Sequence, residues 1–180
     1  VKYCSFLVGQ SQLAALLGDG TGGFGAPIVF GAATLNTQGL TVADLDRDGR
    51  PDAVAPVDLG FSVFHNNSGI ACGAVSFGPA MRAFAVGSSP IATVSVDFDG
   101  DGKPDLATAN YNSNDITVHL GDGAGGLVPA STVAVGTAPI AIIAPDFNAD
   151  ARPDLITANL GSSNLSVRLG NGSGGFSAAP

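Results

Sequence analysis

The sequence has 180 residues with 26 glycines, no tryptophan and a formal net charge of −8 at pH 7. This length allows one hydrophobic core and predicts a single domain or part of a larger one. Only seven lysine and arginine residues are present, which argues against nucleic acid or an anionic membrane surface as a partner.

Carboxylate side chains are concentrated in three short loops. All fifteen acidic residues are aspartate, and eleven of them lie in the nine-residue segments 44–52, 97–105 and 146–154. In the second segment, positions 1, 3, 5 and 9 are Asp97, Asp99, Asp101 and Asp105. Carboxylates this close cannot all stay ionised without a cation between them. Hard oxygen ligands in this number suit Ca²⁺, so the sequence predicts three calcium loops.

An EF-hand begins in a similar way, but it does not fit these loops. That motif needs a bidentate glutamate at position 12 and a helix on each side. Position 12 is Ala55, Thr108 or Thr157 in the three loops, and the flanking segments are short and apolar. The EF-hand interpretation is therefore rejected.

The chain is built from repeats of about 50 residues. Acidic loops start at residues 44, 97 and 146, and a second marker, Leu-Gly-Asp/Asn-Gly followed by Gly-Gly, starts at residues 17, 120 and 169. Short strands and turns repeated at this period are typical of a β-propeller, whose four-stranded blades must cover one another. The sequence predicts a partial blade at 1–36, complete blades at 37–90 and 91–139, and a partial blade at 140–180. All belong to one all-β, propeller-type domain of about 3.5 repeats.

The two histidines do not indicate catalysis. By alignment of the repeats, His119 is expected on an outward, solvated strand face. His65 takes the place of Leu120 and Leu169 and is expected in the core. No nucleophile elbow, paired glutamates or phosphate loop is present. Calcium saturated by protein ligands would leave no open position for a substrate, so the chain is predicted not to be an enzyme.

The acidic loops, of which the second and third end in Pro-Asp-Leu, resemble together with the Leu-Gly-Asp/Asn-Gly and Gly-Phe markers the FG-GAP (VCBS) repeats of integrin-α-like β-propellers. This resemblance covers essentially the whole chain. It implies calcium held in a hairpin loop of each blade, at one face of a propeller that usually has seven blades of four antiparallel strands. The implied side-chain ligands are Asp44, Asp46, Asp48, Asp52, Asp97, Asp99, Asp101, Asp105, Asp146, Asn148, Asp150 and Asp154. Backbone carbonyl ligands would come from Arg50, Lys103 and Arg152.

The third loop departs from this pattern at two positions. Asn148 removes one negative charge, and Ala151 stands where the other two loops have a turn glycine. A non-glycine residue with positive φ costs about 1 kcal/mol. We therefore expect two strong calcium sites and a weaker third site.

About three and a half repeats are too few for a closed ring of seven blades. The chain would then be half of such a propeller, as a fragment of a longer protein. Alternatively, two copies would assemble and complete their broken blades across chains by strand addition. A homo-oligomer formed through incomplete blades is one prediction, and a longer natural polypeptide is the other.

The favoured function is extracellular recognition by a secreted, calcium-stabilised propeller. Loops of this kind need the high calcium found outside cells, and three glycosylation sequons, at Asn66, Asn164 and Asn171, are compatible with export. The expected partner is a glycan, as in a lectin, or an extracellular protein, as in cell adhesion. The alternatives are a structural subunit of an extracellular assembly or filament, and an accessory propeller of a larger enzyme. No membrane span is expected, since no apolar run reaches roughly 18 residues.

A sugar site commonly needs an aromatic platform beside polar side chains. In the absence of tryptophan, the candidate ligand-binding residues are Tyr111, Asn112 and Asn114. The two cysteines, Cys4 and Cys72, are too few for a disulfide framework. One bridge in an oxidising compartment and two separate thiols both remain open.

Overall fold

The computed structural model describes residues 4–9, 12–17, 21, 23–30, 39–57, 60–68, 76–77 and 81–179. Within these residues every regular element is a β-strand. Accordingly, the described part contains no helix with the length and apolar character that crossing a membrane requires. The strands are β1 (Cys4–Gly9), β2 (Gln12–Leu17), β3 (Ile28–Phe30), β4 (Thr41–Ala43), β5 (Asp52–Val57), β6 (Gly60–Phe64), β7 (Met81–Phe84), β8 (Pro90–Val96), β9 (Asp105–Asn110), β10 (Asp115–Gly121), β11 (Leu127–Ala134), β12 (Pro139–Ile143), β13 (Leu155–Asn159), β14 (Asn164–Gly170) and β15 (Phe176–Ala178).

These strands form four antiparallel sheets. The first sheet has the order β1-β2-β3, and the other three have the orders β4-β5-β6-β7, β8-β9-β10-β11 and β12-β13-β14-β15. Strands that follow one another in sequence are therefore neighbours in space, as in the blades of a propeller. The prediction of an all-β fold made of repeated, mostly four-stranded blades is confirmed.

The predicted repeat boundaries stay predictions, although the strands fall close to them. β8 starts at Pro90 and β12 at Pro139, each one residue before the predicted start of its repeat. The last sheet contains a fourth strand, but β15 has only three residues, whereas β11 has eight. The outer edge of the last sheet is therefore shorter than that of the sheet before it.

Neighbouring sheets pack against each other through shared apolar cores. β8 contacts β4 and β5 on one side and β12 on the other. Between the third and fourth sheets, buried Ala107 and Ile116 belong to one cluster with Ile142 and Leu155. Small residues such as Ala107 allow the sheets to approach closely, which explains the alanines in the strands after the first two acidic loops.

Aromatic and aliphatic side chains near the acidic loops strengthen this contact. Leu127, at the start of β11, joins Leu45 of the first loop in the core between the second and third sheets. One repeat later, the Phe176 ring packs edge-on against Phe98 of the second loop, with 5.4 Å between the ring centroids. At these two markers, the residue after Gly-Gly thus packs towards position 2 of the acidic loop in the preceding repeat.

The expectation that His119 lies on a solvated face is wrong, because its side chain is fully buried. Its ring meets Phe61 edge-on at a centroid distance of 5.2 Å and lies 6.2 Å from Phe84. Both faces of β10 are covered, since a sheet lies on each side of it. Neither ring nitrogen makes a hydrogen bond of normal geometry with the described residues. Burial lowers the pKa of His119, and the Ala85 backbone opposes this effect only in part.

Cys72 and the side chain of Cys4 lie outside the described residues. A disulfide bridge between the two cysteines and two separate thiols therefore both stay predictions.

We predict that His119 makes the protein less stable in mild acid. Its folded-state pKa lies below the ordinary value of 6.5, so the unfolded chain takes up the proton first. The free energy of unfolding is therefore not reduced by His119 above the ordinary pKa, and it falls as the pH drops from there towards the folded-state pKa. The variant His119→Phe copies Phe64 at the matching position of β6. Its free energy of unfolding should lack this pH dependence, which amounts to at most about 1.4 kcal/mol per pH unit. Chemical denaturation from about pH 5 to about pH 8 measures both slopes, and equal slopes would contradict a buried neutral imidazole.

Candidate metal centres

Each acidic loop joins the first two strands of its sheet. The loop 44–52 follows β4, the loop 97–105 follows β8 and the loop 146–154 follows β12. The three sheets share one strand order. The loops therefore emerge at the same end of each sheet.

Backbone N–H groups fold each loop around its first carboxylate. In the second loop, Asp97 accepts hydrogen bonds from the N–H groups of Asp101 at 3.1 Å and Gly102 at 2.8 Å. The Asp101 N–H also donates to Asp99 at 3.1 Å, and the Lys103 N–H donates to Asp101 at 2.9 Å. The same four bonds recur in the first loop and in the third. All three loops therefore turn the side chains of positions 1, 3 and 5 towards one point.

The carboxylates at these positions converge in the first two loops. One oxygen from each of Asp44, Asp46 and Asp48 lies within 4.8 Å of the other two, and the same holds for Asp97, Asp99 and Asp101. A further group within this distance joins Asp46 and Asp52 to a ring nitrogen of His65. Negative charges this close repel one another, and a cation between them removes the repulsion. An all-oxygen set of this kind fits a hard divalent ion such as Ca²⁺.

The aspartate at position 9 is buried and ties the loop to its sheet. Asp105 accepts hydrogen bonds from the Phe98 N–H at 2.7 Å and from the Gly121 N–H, at the end of β10, at 2.8 Å. Asp52 and Asp154 accept the matching pairs of bonds in their repeats. Burial raises the pKa of Asp52 and of Asp105, and the N–H donors oppose this in part. The predicted ligand at position 9 thus also connects three segments of backbone.

The third loop keeps the shared geometry despite its different residues. Asn148 Oδ1 accepts the Asp150 N–H at 3.1 Å, as Asp99 accepts the Asp101 N–H. Ala149 and Ala151 have φ of 60° and 65°. In the second loop, both of these left-handed positions are glycine. The sequence analysis identified the strained position 6 but missed position 4, where Ala149 adds a second cost of about 1–2 kcal/mol.

Basic side chains pair with the carboxylate at position 5. Lys103 Nζ lies 2.6 Å from Asp101 Oδ2, and this hydrogen bond lowers the pKa of Asp101. Arg50 pairs with Asp48 in the same way. The carbonyl ligands predicted at Arg50, Lys103 and Arg152 stay predictions.

His65 lies beside the first loop, a contact that the sequence analysis missed. Its Nδ1 atom is 3.2 Å from Asp52 Oδ2 and 3.6 Å from Asp46 Oδ2. The sequence feature that predicts this contact is the position of His65 directly before Asn66, whose N–H donates to Asp52 at 2.8 Å. Because the matching residues are leucines, this neighbour distinguishes the first loop from the other two.

The predicted glycan-contacting residues share the turn between β9 and β10, at the end of the sheet opposite the acidic loop. Asn112 Nδ2 donates to Ser89 Oγ at 2.6 Å, and Asn114 Oδ1 accepts the Ala138 N–H at 2.8 Å. Asn112 thus contacts the Ser89 side chain and Asn114 the backbone before β12, and Tyr111 is half-buried. The ligand role of these three residues stays a prediction.

A groove of about 350 Å³ lies between the first and second acidic loops. Its lining includes Val42 and Asp44 from one sheet and Ser95, Asp97 and Lys103 from the next. Its volume is at the lower end of the range for small-molecule sites, roughly 300–1,000 Å³. Apolar and polar groups thus meet beside the two best-formed loops.

Comparison with known proteins gives a family and a fold. The model of the FG-GAP-like repeat matches residues 6–55 and 97–157, while the comparison with curated proteins gives no match. A solved structure of a lectin from Agrocybe aegerita, described by its specific recognition of non-reducing terminal N-acetylglucosamine, has a similar fold with a TM-score of 0.59. The identity is 18%, over 98% of this chain and 51% of the lectin chain. The chain therefore spans about half the length of this structural neighbour.

We predict that Ala151→Gly stabilises the protein by about 1 kcal/mol, because it removes a Cβ from a left-handed residue. Space is not the limiting factor, since a Cβ added at the matching Gly102 would meet no atom within 4 Å. The matched control is Ala134→Gly in the extended strand β11, which should cost about 0.5–1 kcal/mol. Chemical denaturation measures both, and a loss of stability in Ala151→Gly equal to that of the control would contradict the account.

A second substitution tests the buried carboxylate. In the presence of a chelator, Asp105→Asn should lower the free energy of unfolding by about 1–3 kcal/mol, because an amide has one acceptor oxygen for two buried N–H donors. The control Asp122→Asn should change little, because a single oxygen of Asp122 accepts both of its backbone bonds. Asn171 already makes the same two bonds at the matching position. Thermal unfolding compares the two variants, and equal effects would show that Asp105 has no special structural role.

Proposed function

Since the chain belongs to the FG-GAP-like repeat family, we propose that it is a calcium-stabilised β-propeller domain that recognises glycans outside the cell. The observation that carries this proposal is the similarity of fold, over 98% of this chain, to a lectin that recognises terminal N-acetylglucosamine. A scaffold of packed sheets with loops at both ends is well suited to recognition.

Calcium is proposed to act as a structural ion. Its ligands would be the oxygens at positions 1, 3, 5 and 9 and the carbonyl at position 7 of each loop, with two strong sites and a weaker third. When bound, the ion supplies positive charge that offsets the repulsion among the carboxylates. A shell filled by protein ligands leaves no position for a substrate, so the domain is proposed to bind and not to catalyse.

The proposed location is extracellular, because oxygen-ligand loops on secreted modules bind calcium with dissociation constants of about 10⁻⁴–10⁻³ M, close to its concentration outside cells. Under this proposal the chain is secreted and loads its calcium after export. Sites this weak would be mostly empty at the low calcium of the cytosol.

The groove between the first two loops supports glycan binding better than the turn at Tyr111. Ser95 and Lys103 offer hydrogen-bond donors for sugar hydroxyls, and Val42 offers an apolar surface. In the turn at Tyr111, by contrast, Asn112 Nδ2 and Asn114 Oδ1 already bond to neighbouring segments, which leaves one polar atom of each amide for a sugar. Calcium in the two adjacent loops would also hold the groove in one shape, which reduces the entropy cost of binding.

A structural role in an extracellular assembly is the second candidate. The observation that favours it is a set of exposed apolar side chains on the fourth sheet and its acidic loop, which include Ile143, Phe147 and Leu165. Contiguous exposed apolar surface marks interaction sites.

We predict that a glycan array in millimolar calcium shows binding to glycans with terminal N-acetylglucosamine. Lys103→Ala should weaken this binding by about tenfold or more, because a hydrogen bond to a charged group is worth about 1.5–3 kcal/mol. The matched control is Arg152→Ala, at the equivalent position of the third loop and outside the lining of this groove.

Three outcomes would contradict this proposal in different ways. No glycan binding by the intact chain would remove the lectin function. Equal losses in Lys103→Ala and Arg152→Ala would remove the groove as the site. Loss of binding in Tyr111→Ala alone would place the site in the turn between β9 and β10.

A further inference from the structure

His65 gives the first acidic loop a nitrogen ligand that the other two loops lack. It directly follows β6, and its Nδ1 atom lies 3.2 Å from Asp52 Oδ2 and 3.6 Å from Asp46 Oδ2. Among the described residues, this is the one group of three metal-ligating side chains that includes nitrogen, since the other two groups contain aspartate alone. The cluster thus offers one imidazole and two carboxylates to an ion.

The distances in this cluster match the spacing of ligands around a small ion. Zinc binds histidine nitrogen and carboxylate oxygen at about 2.0–2.2 Å, and a tetrahedral arrangement of such bonds separates two ligand atoms by about 3.4 Å. The two separations measured from His65 Nδ1, 3.2 Å and 3.6 Å, lie on either side of this value. The ligand oxygens of Asp46 and Asp52 lie within 4.8 Å of each other. A small movement of the partly exposed Asp46 side chain would therefore bring all three atoms onto one ion.

Packing against the next repeat holds the imidazole ring in this position. A Cβ atom added to Gly125, in the Gly-Gly marker that follows β10, would overlap Cε1 and Nε2 of His65. This edge of the ring therefore lies on the glycine, and Nδ1 is directed towards the carboxylates. Leu120 packs against Gly174 in the same place one repeat later. The position accepts leucine as well as histidine, but only histidine brings a metal ligand there.

Hydrogen bonds orient both carboxylates. Asp46 uses Oδ1 to accept a backbone N–H within the loop, so its Oδ2 atom remains for an ion beside His65. Asp52 accepts the Asn66 N–H with Oδ1 at 2.8 Å and the Leu45 N–H with Oδ2 at 3.0 Å. A carboxylate oxygen has a second lone pair, so Asp52 Oδ2 can bind an ion while it keeps this bond. Outer hydrogen bonds of this kind fix the ligands of metal sites.

We propose that His65, Asp46 and Asp52 form a site for a borderline divalent metal ion such as Zn²⁺. Imidazole nitrogen suits ions of this class, whereas Ca²⁺ takes oxygen ligands. Three protein ligands leave the fourth tetrahedral position to water, as in open zinc sites. Solvent reaches this position, because the side chains of His65 and Asp46 are 12% and 26% exposed.

The zinc site shares two carboxylates with the calcium set proposed for the same loop. Zinc at Asp46 and Asp52 should therefore weaken calcium binding at the first loop, and calcium should weaken zinc binding by the same factor. The second and third loops have Leu120 and Leu169 in place of His65 and should bind no such ion. The inference depends neither on glycan recognition nor on calcium binding, because it uses only the contacts of His65.

Calorimetric titration of Zn²⁺ into the intact chain, dialysed free of calcium and chelator, tests the proposal. The wild-type chain should bind one zinc ion at least about tenfold more tightly than His65→Leu does, since loss of an outer hydrogen bond alone costs about 10–100-fold in metal affinity. Thermal unfolding without zinc checks that this variant folds. The matched control is His119→Phe, which removes the other histidine of the chain and should bind zinc as the wild type does.

A second variant and a second ion complete the test. Asp46→Asn copies Asn148 at the matching position of the third loop, should also lose the zinc site, and serves if His65→Leu does not fold. Co²⁺ in place of zinc should give a visible absorption band in the wild type and in His119→Phe that is absent from His65→Leu. Both histidine variants keep every aspartate and cysteine, so a difference between them belongs to His65.

Three results would overturn the proposal. The first is a wild-type chain that binds no zinc. The second is equal zinc binding by the wild type and His65→Leu, which would mean that His65 only forms a hydrogen bond with Asp52. The third is a loss in His119→Phe as large as that in His65→Leu. A chain that binds zinc in this way but no calcium would contradict the proposed calcium sites and leave the zinc site standing.

Discussion

Two hydrogen bonds to a buried carboxylate hold each acidic loop on its sheet. Asp105 accepts one from the start of the loop and one from the far end of β10, so it fixes both ends of the turn relative to three strands. Because Asp52 and Asp154 repeat this arrangement, the first, third and fifth residues of each loop come to equivalent places. The candidate metal centres are therefore a consequence of how the sheets themselves are built.

Stacking of the sheets then connects the loops to function. Each sheet covers the face of its neighbour, and the groove proposed for glycans lies where two sheets and two acidic loops meet. Repeated architectures are stabilised by the sum of such nearest-neighbour contacts.

Local sequence patterns were sufficient to predict the all-β repeats and the acidic loops. They act within one repeat, where the spacing of aspartates and the Gly-Gly markers specifies turns directly. What could not be predicted depends on contacts between repeats. His119 alternates like a surface residue along β10, yet a second sheet covers it. His65 reaches the first loop only because β6 ends beside Asp52. The third loop has two residues with positive φ, Ala149 and Ala151, and the sequence pattern identified only the second.

Calcium titration of the chelated protein, followed by calorimetry and thermal unfolding, tests the central claim most directly. The account predicts two strong binding events, a weaker third, and an unfolding temperature that rises with calcium. An ion at one hundred times its dissociation constant adds about 2.7 kcal/mol of stability for each site. Magnesium should be a poor substitute, since it demands a tighter octahedral shell. Absence of calcium binding, or binding that leaves the unfolding temperature unchanged, would contradict the account.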